Sequence, residues 1–259
     1  MTRILKTCMS PNPGDTIVVW FSCGAASAVA ARETLRRYGN MCEVRIVNHP
    51  VVEEDEDSRR FGADVAEWLG HYIEWFTNPK WPTASAVAVW EHKRAMSFPH
   101  GAPCTGELKK GARQAYEKLH KVDWHVLGFT ADEKDRHARF VLGERENTLP
   151  VLIDAGITKK DCFDILRREG VKLPRIYAQG YPNANCIGCV KATSPTYWNL
   201  VRHQHPEVFT ERAEQSRRLG VRLARHKGAR VFLDELPADA VGRPLKTMQF
   251  DCGVFCEEK

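Results

Sequence analysis

Five consecutive apolar residues, 17–21 (IVVWF), open the segment that most limits what this chain can fold into. The run is β-branched and aromatic with no polar alternation, which suits a strand buried on both faces of a parallel sheet. It passes directly into a turn of small residues, Ser22-Cys23-Gly24-Ala25-Ala26-Ser27. AVAARETLRRY (28–38) then reads as a helix ending at Gly39. Residues 44–47 and 71–76 read as strands, and 124–129 (WHVLGF) as another buried one. Between and after them, residues 58–69, 84–96 and 107–120 read as helices. Thr158-x-x-Asp161 opens a helix with Phe163, Ile165 and Leu166 on its apolar side, ending at Gly170. Pro206 opens a late helix with Phe209, Ala213 and Leu223 apolar. Strands alternating with helices predict an α/β fold with a doubly wound, mostly parallel sheet. The expected organisation is an α/β domain over residues 1–199. A basic helical extension and a cysteine-bearing tail follow over 200–259.

The composition, 43% hydrophobic and 27% charged, is that of a globular chain and excludes disordered, collagen-like and coiled-coil classes. No apolar run approaches the roughly 18 residues of a membrane helix, and residues 1–15 lack the apolar core of a signal peptide. The chain is expected in the cytoplasm, with no membrane partner. Nine cysteines, an odd number in a chain too large to need staples, point to a reducing compartment. There, clustered cysteines mean metal or redox chemistry. The net charge of +5 is concentrated in residues 200–230, with eight Lys and Arg against three acidic residues. That segment reads either as a surface for an anionic polymer or as a solvated helix face.

The turn at residues 22–27 is a candidate anion site. A helix N-terminus exposes N–H groups, small side chains let an oxyanion approach, and Ser22 and Ser27 can add hydroxyl donors. GxxxxGK[ST] and GxGxxG are both absent. The acidic run 53–57 reads as the solvated start of a helix, with a metal site as the alternative. Cys186-Ile187-Gly188-Cys189 brings two soft thiolates to one place, which suits zinc or an iron–sulfur cluster. Cys252 and Cys256, or Cys104, could complete the ligand set. Cys8, Cys23, Cys42 and Cys162 read as structural, with Cys23 as a nucleophile the alternative.

Five segments in order resemble the phosphoadenylyl-sulfate (PAPS/APS) reductase family, within the PP-loop (adenine nucleotide alpha-hydrolase-like) superfamily. They are SCGAAS (22–27), GAPCTGELKK (101–110), GFTADEKDRHAR (128–139), the block from LPVLIDAGITKKDCFDIL to YPNANCIGC (149–189), and DCGVFC (251–256). The resemblance implies an adenine nucleotide, ATP or adenylyl sulfate, held by Ser22, Cys23, Gly24, Ala25, Ala26 and Ser27, with Lys109, Arg136 and Arg139 as anion-binding side chains. It also implies a 4Fe-4S cluster on Cys104, Cys186 and Cys189, with zinc as the alternative and Cys256 as a candidate fourth ligand. Cys252 matches the catalytic tail cysteine, with Cys256 its resolving partner.

The sequence departs from the family in four places. Ala26 stands near the Asp of ATP-pyrophosphatase loops, Pro103-Cys104 replaces a CC pair, Phe255 replaces the tail histidine, and Cys256 is additional. The resemblance implies, first, a reductase in which the Cys252 thiolate takes a sulfonate from adenylyl sulfate. An external dithiol, such as a thioredoxin-like protein, then releases sulfite. The alternative is ATP-dependent, iron–sulfur-dependent thiolation of tRNA or DNA gripped by residues 200–230. A zinc-stabilised, non-catalytic nucleic-acid-binding module is the third reading.

Overall fold

The computed structural model describes residues 10–98, 101–247 and 254. Its main sheet has four strands in the order β3-β2-β1-β4: β1 (Thr16–Trp20), β2 (Glu43–Asn48), β3 (Ile73–Trp75) and β4 (Trp124–Val126). β1 runs parallel to both neighbours, with Val18 opposite Arg45 on one side and His125 on the other. All five β1 residues are buried, as the unbroken apolar run predicts. A parallel bridge from His125 to Thr148 extends the pairing beyond β4. Helix α1 (Ala25–Tyr38) lies against β1, β2 and β4, with Ala28, Val29, Ala30 and Ala31 buried. The α/β class with a parallel sheet is therefore as expected.

The chain forms two compact units, each assembled from separated segments. One comprises Met1–Asn48, Ala63–Glu74 and Glu117–Lys172. The other comprises His49–Gly62, Trp75–Tyr116 and Leu173–Lys259. The first holds α1, α5 (Lys134–Gly143), α6 (Val151–Asp154) and α7 (Lys159–Arg168); the second holds α3 (Ala86–Lys93), α8 (Arg175–Ala178), α9 (Pro195–Gln204) and α10 (Pro206–Arg218). α2 (Asp57–Leu69) and α4 (Gly111–Leu119) run through the dividing points. The expected boundary at 199/200 is not where the chain divides. α9 packs on α10, and the Arg225 N–H donates to the Thr193 carbonyl, so residues on both sides of 200 share one core.

Two further expectations are corrected. The late helix stops at Arg218, and Gly220, at φ +70°, turns the chain out of it. Leu223 therefore lies beyond α10, just ahead of a hairpin of β5 (Ala224–His226) and β6 (Ala229–Val231). The stretch read as one helix from 107 begins instead as a π-helix, Thr105–Lys110, that becomes α4 at Gly111. Its wider turn has a tertiary partner: Asn78 Nδ2 donates to the Glu107 carbonyl at 2.8 Å.

Candidate functional site

In the first unit the turn between β1 and α1 is built around one side chain. Ser27 Oγ accepts from the N–H of Ser22 at 3.1 Å and of Gly24 at 3.4 Å, and donates to the Gly24 carbonyl at 2.9 Å. Ser27 is buried while Ser22 is exposed. Of the two hydroxyls expected to meet an anion, Ser27 is thus the brace inside the loop, and that of exposed Ser22 donates back to Ser27 Oγ at 3.1 Å. Cys23 takes a left-handed backbone, φ +54°, which costs a residue with a Cβ about 1 kcal/mol or more. Its side chain is fully buried and its sulfur accepts from Asn48 Nδ2 at 3.4 Å. A nucleophilic Cys23 is therefore ruled out by access. Cys162 is equally buried, with its thiol pushed up to about 12 by burial, and fits a structural role.

Gly128, just past β4, is the residue that sequence reading missed. A Cβ there would lie 2.9 Å from Ser27 N and 3.1 Å from the Ala26 carbonyl carbon. Only glycine lets the β4 exit pass against the first turn of α1. Arg136 hydrogen-bonds Glu133 at 2.5 Å and sits over the Phe129 ring at 5.1 Å, so its expected anion-binding role competes with an existing ion pair. Arg139 is exposed on α5.

Lys109 requires a firmer correction. It is 4% exposed, and its ammonium donates to the His49 carbonyl at 2.5 Å and Glu54 Oε1 at 2.7 Å. Its charge is spent inside the second unit rather than offered to a nucleotide. The rest of the acidic run is partnered too, although Glu56 stays exposed. Glu53 caps α3, accepting from Ala86 N and Val87 N and from Ser85 Oγ. Asp55 and Glu56 pair with Arg175, and Asp57 with Arg60. The Arg60 hydrogen bonds hold the Asp57 carboxyl down at about 2.

His49 gives a pH signature. Burial pulls its imidazole down to about 3, against the hydrogen bond to the Phe76 carbonyl, and the Lys109 and Arg113 charges add to the depression. The folded state refuses a proton that the unfolded chain takes at its ordinary 6.5. Stability from this residue is complete above 6.5 and lost as pH falls, at about 1.4 kcal/mol per unit. Urea unfolding should lose about 2 kcal/mol between pH 6.5 and about 5, and His49→Gln should flatten that slope. Equal slopes in both proteins would refute the assignment.

The thiols lie in the second unit. Cys186 and Cys189 are buried in an apolar cluster with Trp90, Tyr197, Trp198 and Phe209, and Cys104, capping the π-helix, packs against the same cluster. The CxxC turn is held from three sides. The Tyr197 hydroxyl accepts from the Cys189 N–H at 2.7 Å and donates to the Cys186 carbonyl at 3.3 Å. The Ile187 N–H donates to the Glu53 carbonyl. Gly188 sits at φ +67°, and a Cβ there would lie 3.0 Å from Val208 and 3.5 Å from Arg212 Nε. Arg212 is 2% exposed, stacks 4.7 Å over Trp90, and its buried Nε has no hydrogen-bond partner among the described residues. A buried guanidinium close enough to Cys186 to interact with it electrostatically suits an anionic thiolate centre. Among the described residues no three His, Cys, Asp or Glu side chains converge as a single-ion site. Cys104, Cys186 and Cys189 share one apolar cluster, and their soft sulfurs are the donor chemistry of zinc and of iron–sulfur groups alike. Cys252 and Cys256 lie outside the described residues, as does Cys8. Val254, between the two tail cysteines, is buried, and its carbonyl accepts from the buried Arg113 Nε at 3.2 Å.

Part of the basic segment already has partners within the protein. Arg202 donates to the Leu233 and Leu236 carbonyls, Arg217 pairs with Asp234 and Glu235, and Arg218 pairs with Glu91. No described helix is long and apolar enough to cross a membrane.

No protein-family model matches the chain, and the search of curated proteins gives no match. Among solved structures it is similar to a U34-tRNA thiolase, NcsA from Methanococcus maripaludis with its [4Fe-4S] cluster, at 12% identity and a TM-score of 0.39, over 81% of this chain and 73% of that one. A TM-score this low does not establish a shared fold, and the α/β architecture stands on the chain's own parallel sheet.

Proposed function

We propose that the chain is a PP-loop sulfur-transfer enzyme that binds an adenine nucleotide and thiolates a base of tRNA or another nucleic acid. The observation that carries the choice is Val254. A reductase tail must leave the site to meet its dithiol, so its nucleophile needs a mobile segment. Here the residue midway between Cys252 and Cys256 is buried and bonded to buried Arg113. A tether at Val254 favours a ligand arm, with Cys256 or Cys252 as the fourth sulfur, over a travelling nucleophile.

In this reading the amides of the first turn of α1, residues 25–27, receive the nucleotide phosphates, and the exposed Ser22 hydroxyl turns from Ser27 Oγ to join them. Ala26 brings no carboxylate to that loop. Gly128 keeps the loop's close approach to the β4 exit, and Arg139 supplies a bidentate cation from α5. A 4Fe-4S cluster on Cys104, Cys186 and Cys189, when bound, supplies an iron position able to carry sulfur. Tyr197 and Arg212 hold the CxxC turn and offset the charge of its thiolates.

The test is anaerobic purification with iron, sulfide and zinc analysis. The protein is then incubated with ATP, hydrosulfide and bulk tRNA, and the nucleosides are read by mass spectrometry. A sulfur-for-oxygen mass gain dependent on ATP and iron is expected. Sulfite released from adenylyl sulfate or phosphoadenylyl sulfate, with a sulfonate adduct on Cys252, would replace this reading with the reductase.

A further inference from the structure

The exposed cations of the basic segment that make no ion pair among the described residues are gathered on one small element. Residues 222–230 (RLARHKGAR) hold four Lys and Arg and no acidic residue. They include the β5–β6 hairpin, which turns through Lys227 and Gly228, both at positive φ (+47° and +83°). Such a two-residue turn favours Asn-Gly or Asp-Gly, so lysine at the tip is held in a conformation it does not prefer. One hairpin face is anchored: Ala224 is buried in the apolar cluster, and Val231, opposite it, packs on the same cluster. The other face places Arg225 directly across from Arg230, and both are exposed. Like charges in that register repel.

Among the described residues no carboxylate relieves them: Arg225 and Lys227 make no ion pair, Arg230 donates only to the Leu223 carbonyl, and Arg222 rests 5.1 Å over the Phe232 ring. The nearby acids Asp234 and Glu235 are taken by Arg217. Arg217 and Arg218, which the sequence offers equally, are neutralised within the protein.

We infer that the β5–β6 hairpin is the nucleic-acid contact of this protein, with Arg222, Arg225, Lys227 and Arg230 placed on successive backbone phosphates. The inference rests on the nucleic-acid reading above and narrows it from thirty residues to one ribbon. Phosphates fit because a row of unpaired cations on a rigid, core-anchored ribbon gains by counterion release, with no need for base contacts.

The test is binding of the full-length protein to bulk tRNA by fluorescence anisotropy from 50 to 300 mM salt. The double variant Arg225→Gln with Arg230→Gln should lower the slope of log affinity against log salt by about two, one per lost phosphate contact. Its melting temperature should not fall, because a repelling pair is removed. Arg225→Lys with Arg230→Lys should keep most of the slope. Lys118→Gln, an exposed lysine on α4, should leave it unchanged. An unchanged slope in the Gln variant, or wild-type protein that binds heparin but not tRNA, overturns the hairpin assignment. Thiolation that proceeds with an unchanged slope leaves the proposed function standing. A reduced slope without any thiolated nucleoside leaves the hairpin standing and removes the reaction.

Discussion

Replacing Gly128 with valine is expected to lower adenine-nucleotide affinity by at least about 100-fold while the protein stays folded. A side chain at this position cannot find space by rotating, because its Cβ alone would stand 2.9 Å from the Ser27 amide nitrogen and 3.1 Å from the Ala26 carbonyl carbon. Both are backbone atoms of the first turn of α1, so the turn itself must retreat. Overpacking of this kind costs about 1–3 kcal/mol of stability. Its larger effect falls on the loop, whose path is fixed by the Ser22 and Gly24 N–H groups donating to Ser27 Oγ and by Ser27 Oγ donating to the Gly24 carbonyl, and whose path sets the directions of the amides of residues 25–27. Misaiming two charge-assisted hydrogen bonds, at about 1.5–3 kcal/mol each, accounts for the loss. Isothermal titration with ATP measures it, and circular dichroism reports the fold. Gly143→Ala, at a position where a Cβ meets nothing within 4 Å, is the matched control. Unchanged ATP affinity in Gly128→Val would remove residues 22–27 from the nucleotide site.

Serine at Cys186 or Cys189 is expected to strip most of the iron from anaerobically purified protein and to bleach it. Serine keeps the shape of cysteine but not the soft thiolate that iron–sulfur groups require. Because such a group is bound only by the folded state, losing it also lowers stability. A loss of about 3 kcal/mol corresponds to a fall of about 6–12 °C in melting temperature for a chain of this size. Tyr197→Phe separates ligand from support. It keeps both sulfurs but removes the hydroxyl that ties Cys189 N–H to the Cys186 carbonyl, so it should retain part of the iron and bleach faster in air. Full iron in either serine variant would refute the thiol centre; equal loss in Tyr197→Phe and the serine variants would mean that turn geometry, not ligation, holds the iron. The same preparations show where the tail belongs. If Cys252→Ser or Cys256→Ser loses iron, the tail supplies a ligand. If Cys252→Ser keeps iron and only sulfonucleotide turnover stops, the reductase reading returns.

The elements that sequence reading placed well are those set by neighbours along the chain. The run at 17–21 becomes β1 because five apolar, β-branched or aromatic residues need two covered faces, and a parallel sheet provides them. Gly39 and Gly170 end helices where expected, at α1 and just after α7. Thr158 caps α7, its hydroxyl accepting from the Asp161 N–H at 3.2 Å. The turn at 22–27 was legible because small residues between a strand and a helix have few other uses.

What misled was charge. Lys109, the acidic run 53–57 and Arg217 and Arg218 look alike in a sequence whether they meet solvent, ligand or each other. Coulomb pairing depends on distance through space, and apart from the local Asp57–Arg60 pair their partners lie between 17 and 127 residues away along the chain. Gly128 escaped notice for the same reason, since its need for no side chain is set by a backbone about one hundred residues earlier.

By itself the sequence determined an α/β chain with a parallel sheet, a small-residue turn at a helix N-terminus and a paired thiol loop, because periodicity, turn chemistry and short spacing act locally. Only the tertiary structure decided the two discontinuous units, the π-helix behind Cys104, the burial of Lys109 and the choice of β5–β6 as the exposed basic face. Each of these depends on which distant group arrives to satisfy a carbonyl, a charge or an apolar surface, and no local pattern records that arrival.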